Sequence, residues 1–201
     1  MKTAKACRVA ATLALAVFAL ALSTGAAADD ASDREFLVHA GQLGLAEVEL
    51  GRIAEGRAAS ARVKRFAGRM VRDHAKSNEE LRSLAGGKGV ELPSTLAGQH
   101  RANAEKLGRL SGAEFDRHYM EHMVTDHRKA VAEFEKAARD ARDSRVKAFA
   151  SKTLPHLREH LKMAQATMQG LGPGNSATAT PNTGGSGSGS TPPTETRPPT
   201  K

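Results

Sequence analysis

The chain of 201 residues has no tryptophan and a single tyrosine. Single-stranded nucleic acid is held on aromatic stacking platforms, and there is little here to stack bases on. A basic stripe is missing too. Lys and Arg exceed Asp and Glu by eight, but the two signs alternate along the chain, the pattern of solvated helix faces. Nucleic acid is not expected as a partner. Cys7 is the only cysteine, so no disulfide framework and no cysteine metal cluster can form. Long hydrophobic runs are absent: the apolar stretch from Val9 to Leu22 has fourteen residues, where a membrane-spanning helix needs about 20.

That stretch follows Lys2, Lys5 and Arg8 and precedes the small residues Ala26, Ala27 and Ala28. A basic start, a short apolar run and a small-residue site are the order of a secretory signal peptide, which assigns residues 1–28 to a cleaved leader and the protein to the periplasm or the medium. Cys7 lies inside the leader, too far upstream of the cleavage region to become a lipid-bearing N-terminus. Its loss leaves 27 basic against 22 acidic residues, a formal charge of +5. No transmembrane span remains in the mature chain. At the other end, residues 171–201 are almost entirely Gly, Ser, Thr and Pro. Such a composition buries too little apolar surface to offset ordering entropy, and it reads as a disordered tail.

Residues 29–170 carry the domain. Ala, Leu, Glu, Lys and Arg dominate, a composition that favours helix, and apolar residues recur at the three-and-four spacing of bundle helices. The first helix is expected to start at a Ser32/Glu35 capping box and to bury Phe36, Ala40, Leu43, Leu50 and Ala54. The second follows Ser60, with Val63, Phe66, Met70 and Leu81 inside. The third opens at a second box, Ser111 to Glu114, and buries Met120, Met123, Ala130 and Phe134. The fourth runs from about Ser144 to Gln169 along Leu154, Leu157, Leu161 and Ala164, with a kink or break expected at Pro155.

Two internal repeats organise these helices. "ELGRIAEGRAASARVKRFA" (Glu49 to Ala67) returns as "EFEKAARDARDSRVKAFA" (Glu133 to Ala150) with one residue gapped, so a helical hairpin is used twice. The hairpins are separated by about 25 residues, which reach on the order of 55 Å when half helical and half extended. A bundle helix of that many residues is only about 38 Å long. The connector can therefore cross the bundle and make the second and third helices parallel, the single-crossover topology of ferritin-like folds. The fold class is all-α: a ferritin-like four-helix bundle of two hairpins and a long crossover.

The other repeat is "MVRDHAK" (Met70 to Lys76) and "MVTDHRK" (Met123 to Lys129). At 100° per residue, each histidine falls about 40° from its methionine on the buried stripe, and each aspartate about 60° to the other side. In the fourth helix His160 lies about 60° from Leu157, and in the first Glu47 lies about 40° from Leu43. Each helix thus presents one ionisable group near its middle: Glu47, His74, His127 and His160. Buried charges must find partners or turn neutral, and these could find each other as metal ligands, with Asp73, Asp126 and Glu159 as further or outer ligands. Imidazole with one carboxylate suits Zn, Fe, Cu or Ni. Buried acid and histidine pairs that only specify packing are the alternative. "HLREH" (His156 to His160) also fits the H-x-x-E-H pattern of inverzincins, but the chain lacks the two-domain context of those peptidases.

"GLAEVELG", "VKRFAGRMVRDHAKSNEEL", "FDRHYMEHMVTDHRKAVAEFEKAA" and "VKAFASKTLPHLREHLKMA" together resemble the bacterial exported family domain of unknown function 4142 (DUF4142), over about Asp33 to Met168. The resemblance implies a ferritin-like helical fold and an envelope location, without a settled activity. Some members carry an outer-membrane label, which the chain does not support, having no barrel's alternating strands. Ferritin-type di-iron sites use Glu-x-x-His motifs, and none stands at the core positions here, which argues against ferroxidase chemistry.

Three functions follow from this reading. The first is an exported, soluble, non-enzymatic bundle of the bacterial envelope that binds a transition metal. The second is a structural or stress-related interaction module whose acid and histidine pairs are packing devices. The third is a di-metal oxidoreductase. A homodimer is compatible with all three, and no protein partner is indicated. The leader is directly testable: mass spectrometry of extracytoplasmic protein should find Asp29 or a near neighbour as the first residue, and intact Met1 would refute export with cleavage.

Overall fold

The computed structural model of the protein describes residues 4–172, with side chains from residue 31 onward. The leader's side chains and all of the tail beyond residue 172 lie outside the described residues, so the expectations for 1–28 and 171–201 stand as sequence readings. Among the described residues there are five helices: α1 (Ala4–Arg57), α2 (Ala61–Gly86), α3 (Gly98–Gly108), α4 (Gly112–Asp140) and α5 (Ser144–Gln169). The described residues contain no strand, and none of their helices is long and apolar enough to cross a membrane.

Three local expectations are corrected. α1 runs straight through Ser32, because the Ala-rich segment before it offers the backbone no reason to stop, so the Ser32/Glu35 box caps nothing. Ser111 does precede α4, yet its side chain makes no capping hydrogen bond. Gly112 follows it at φ +65°, a left-handed entry into the helix that glycine adopts without a Cβ penalty. α5 runs on through Pro155 as one helix, so of the kink or break expected there the break does not occur. Proline removes one ladder donor there, and packing on both neighbouring helices outweighs the loss.

Side-chain pairs fix the directions. Phe36 meets Phe134 at 5.0 Å between ring centroids and His39 meets Glu133, while Glu47 meets His127, so α1 and α4 are antiparallel. α1 and α2 form an antiparallel hairpin: Gly51 faces Ala67 and Val71, and Gly44 faces Asn78. α2 and α4 are therefore parallel. The connector travels back along α1, and its contacts mark the route. Arg34 donates to the carbonyl of Lys88, Gln42 bonds Thr95 and Ala97, and Arg57 donates to the carbonyl of Leu110. The crossover is thus observed, with α3 laid over α1 and α4. Around the bundle the order is α1, α2, α5, α4.

The crossover buries α1 on nearly every side between residues 40 and 50, and small residues make that approach feasible. A Cβ on Gly51 would come within 2.7 Å of a Val71 methyl, and one on Gly44 would overlap the Asn78 amide. These two glycines bracket Glu47 and draw α1 against α2.

The two hairpins lock each other through matching aspartates 83 residues apart. Asp33, on α1, accepts the backbone N–H of Arg142 and Asp143 at 3.1 and 2.8 Å. Asp116, on α4, accepts those of Ala59 and Ser60 at 3.1 and 2.7 Å. Each turn is held by the other hairpin, and the second residue of each held pair, Ser60 or Asp143, is itself an N-cap. Both aspartates are buried. Replacing either strands two backbone donors, so Asp33→Ala and Asp116→Ala should each cost about 1 to 3 kcal/mol in urea denaturation. Asp140→Ala, an exposed control, should stay within about 0.5 kcal/mol.

Candidate metal centre

The apolar core is divided in two. One cluster gathers Leu43, Leu81, Ala130, Phe134 and Leu157, and the other gathers Leu50, Met70, Met120, Met123 and Ala164. Between them every long helix contributes its polar residue: Glu47 from α1, His74 from α2, His127 from α4 and His160 from α5, all at 7% exposure or less. The polar layer is a section across the bundle with apolar packing above and below.

The three imidazoles form a nearly equilateral triangle. Ring centroids lie 5.7 Å apart for His74 and His127, 5.3 Å for His74 and His160, and 5.5 Å for His127 and His160. One nitrogen from each ring lies within 4.8 Å of one from each of the others. Around a tetrahedral ion with nitrogens at about 2.0 to 2.1 Å the donors stand about 3.4 Å apart, so small rotamer adjustments would bring these rings to ligand distance.

Partners on the far edges decide which nitrogens are available. His127 Nδ1 is 3.0 Å from the carbonyl of Met123; a carbonyl only accepts, so Nδ1 carries the proton and Nε2 keeps its lone pair. His160 Nε2 donates to Asp73 Oδ2 at 2.9 Å, which leaves Nδ1 with the lone pair. His74 Nε2, His127 Nε2 and His160 Nδ1 are all buried without a hydrogen-bond partner among the described residues. Metal-binding histidines are oriented in this way, with the second nitrogen donating to a carboxylate or carbonyl.

Electrostatics keeps the rings neutral. Burial pushes the His74 pKa well below the ordinary histidine value, and the neighbouring His127 and His160 push it further down. Burial, with His160 adding to it, lowers His127 to about 4. In His160 burial also lowers the pKa, against the opposing pull of Asp73. Burial and then Asp126 raise Glu47 well above the carboxylate range. Asp73 is raised by burial but lowered more by its hydrogen bonds from Arg69 and His160, and the net shift is downward. It stays ionised behind His160, held also by Arg69 at 2.7 Å.

Of the residues singled out in the sequence, three are thus brought together as nitrogen donors and Asp73 stands directly behind one of them. Glu47 shares the layer, but its closest approach is 3.7 Å to Nδ1 of His127, the proton-bearing edge of that ring. Asp126 and Glu159 stand apart from the triangle. Asp126 faces His122 at 3.2 Å, and Glu159 lies at the surface beside Arg69 at 3.3 Å. His122 and Asp126 are half-buried under α3, where His100 has a buried Nδ1 without a partner among the described residues. The sequence signal for this neighbourhood was only the four-residue spacing of His122 and Asp126 on one helix.

A cleft of about 170 Å³ reaches the site between α2 and α5, with His74 and His160 in its wall. Tyr119 is the other residue missed. Its hydroxyl is fully buried without a partner among the described residues, and burial, then Glu47, raises its pKa. Nothing in its local pattern distinguishes it from an ordinary core aromatic.

Acid should loosen the metal-free core. An unfolded histidine takes up its proton near pH 6.5, whereas folded His127 resists until about 4. Between those values the unfolded state binds the extra proton, so stability falls as pH drops through the window. With chelator present, His127→Gln should remove roughly 3 kcal/mol of that acid loss, read as the parent-minus-mutant difference in urea midpoints from pH 7 to 4. Glu47 works in the opposite direction, its raised pKa weakening the fold as pH rises above 4.5, and the difference measurement cancels it.

Comparison with known proteins bears on fold and family. No curated protein matches the chain. Among solved structures, a DUF305 fragment from Deinococcus radiodurans superposes with a TM-score of 0.61 at 15% identity, covering 69% of this chain and 95% of that one. A DUF305 protein from Streptomyces coelicolor gives 0.61 at 17% identity, covering 70% and 94%. At such identities the likeness is one of fold, and it supports the helical bundle. The model of DUF4142, described as a domain of unknown function, matches residues 19–167, three quarters of the sequence, and the chain belongs to that family.

Proposed function

We propose that this protein is an exported bundle that binds one transition-metal ion through His74, His127 and His160. The observation that carries the reading is the convergence of three buried imidazoles, one nitrogen of each lying within 4.8 Å of the others and one nitrogen of each having no hydrogen-bond partner among the described residues. Two of the rings are fixed from behind by groups that leave the inward nitrogen free to coordinate. Burial without such a purpose is costly, since an unpaired buried polar atom costs about 1 to 3 kcal/mol. Neutral imidazole selects zinc, copper, iron or nickel over calcium or magnesium. The basic, apolar and small-residue order of the leader supports export.

The packing alternative has its own observation in the Asp73 and His160 hydrogen bond, which satisfies one ring edge with no metal at all. It leaves three inward nitrogens unexplained.

Elemental analysis of protein purified without a polyhistidine tag should find about one equivalent of a metal from that group. His74→Ala and His127→Ala should each weaken binding at least about tenfold, as even outer-ligand losses cost about 10 to 100-fold. His118→Ala, whose ring sits near the surface beside Glu121, should leave it unchanged. Metal should also raise the thermal midpoint and chelator should reverse the rise; equal midpoints with and without metal would favour the packing reading.

A further inference from the structure

We infer that the metal centre is an open one: an ion held by the three histidines keeps a coordination position facing the cleft between α2 and α5, where a small anion binds. This rests on the proposed metal site and says what that site does with its remaining valence. Structural zinc-type sites are closed by four protein ligands, whereas reactive sites use three and leave the fourth position to water or an exogenous ligand.

The protein donors run out at three. Asp73 is engaged by His160 and Arg69, Asp126 lies beside His122, and Glu159 is held by Arg69 at the surface. Glu47 approaches the triangle at the edge of His127 that carries the proton. It also comes from α1, which stands diagonally across the bundle from α5. Toward α2 and α5 the triangle is bordered by Asp73, which His160 and Arg69 hold, and by Glu80, which Lys152 holds, so no uncommitted carboxylate lines that side among the described residues.

That same side has a passage. The cleft holds about 170 Å³, with buried His74, Leu157 and His160 at its floor and exposed Lys76, Lys152 and His156 at its rim. It is smaller than the roughly 300 to 1,000 Å³ of a drug-sized ligand pocket, which restricts the occupant to a species of a few atoms. Lys152 pairs with Glu80 at 2.8 Å, but among the described residues neither Lys76 nor His156 has a carboxylate partner. A rim with an uncompensated ammonium raises the local concentration of anions. The occupant is therefore a small monodentate anion, such as hydroxide or a pseudohalide, entering past Lys76 to reach the ion.

The test uses the protein loaded with cobalt(II), whose visible absorption reports its ligands, and sodium azide as the probe. Azide should change the cobalt spectrum saturably. Thr153→Phe, which fills the half-buried wall of the cleft, should weaken azide at least about tenfold while leaving cobalt affinity within about threefold, because it removes access and not a ligand. Lys76→Glu, at the exposed rim where folding is not at stake, should weaken azide severalfold, and more so at low salt. A cobalt-loaded protein whose spectrum ignores azide would overturn the open position and leave the metal site standing. An azide response unaltered in both variants would overturn the assignment of the open position to this cleft. Failure to bind cobalt, zinc or copper at all would overturn both.

Discussion

Three imidazoles buried at one level of a helical bundle, without a counter-charge among them, are the constraint on which the rest of the structure depends. Protonated, they would repel each other inside a medium that already disfavours charge, so the fold holds them neutral. Neutral rings still need an acceptor for the N–H, and the protein supplies one to His127 from the backbone and one to His160 from Asp73. Once those edges are fixed, the inward lone pairs are fixed too. The apolar clusters above and below hold the level. Leu43 and Leu50 sit on either side of Glu47, as Met123 and Ala130 do for His127.

Bringing four helices to one level is a topological demand, and the crossover meets it. Parallel α2 and α4 carry their histidines at the same phase and height, which is why the seven-residue spelling repeats. This repeat differs from the one that builds the fold. The hairpins are related at a spacing of 83 residues, as Asp33 and Asp116 show by holding each other's turns. Met70 and Met123 are related at 53. At the 83 or 84 residues that separate the hairpins, His127 corresponds to Gly44 or Leu43 and not to an ionisable residue. The duplicated scaffold is symmetric and the site written on it is not.

Helix phase was legible because it depends on neighbours within one helix, and the four-residue step from Met70 to His74 fixes a face whatever lies opposite. Connector length was legible for a similar reason, since reach is a property of the chain. What escaped depends on distant partners. Asp33 looks like any first-turn acid, and only the α4 to α5 turn about 110 residues away shows why it is buried. Asp73 and Asp126 occupy equivalent phases in their repeats, yet one meets His160 on the neighbouring α5 and the other turns toward His122 and α3. Glu159 shares its helix with His160, but one residue is about 100° of rotation, enough to carry it to solvent. Ser111 was read as a cap, yet its hydroxyl makes no capping bond, and Gly112 after it enters the helix at a positive φ.

Carboxylates placed behind the rings, and not among the inward nitrogens, have a definite electrostatic consequence. A dication surrounded by neutral imidazoles in a low-dielectric core needs negative charge nearby. For the proposed ion Asp73 would supply it through His160, and a carboxylate accepting the far N–H also makes that ring a better donor. Had Asp73 pointed inward, it would have filled a coordination position and removed the hydrogen bond that sets the His160 tautomer. Its neighbour Arg69 keeps it outward, holding the same oxygen that His160 uses. Glu47 is held off in another way. Pressed between α1 and α4, its carboxyl is pushed toward the neutral form by burial and then by Asp126, and a neutral carboxyl competes weakly for a metal. For the proposed ion, compensating charge and coordination would thereby fall to different residues, and the remaining position would be left to a ligand that enters through the cleft between α2 and α5.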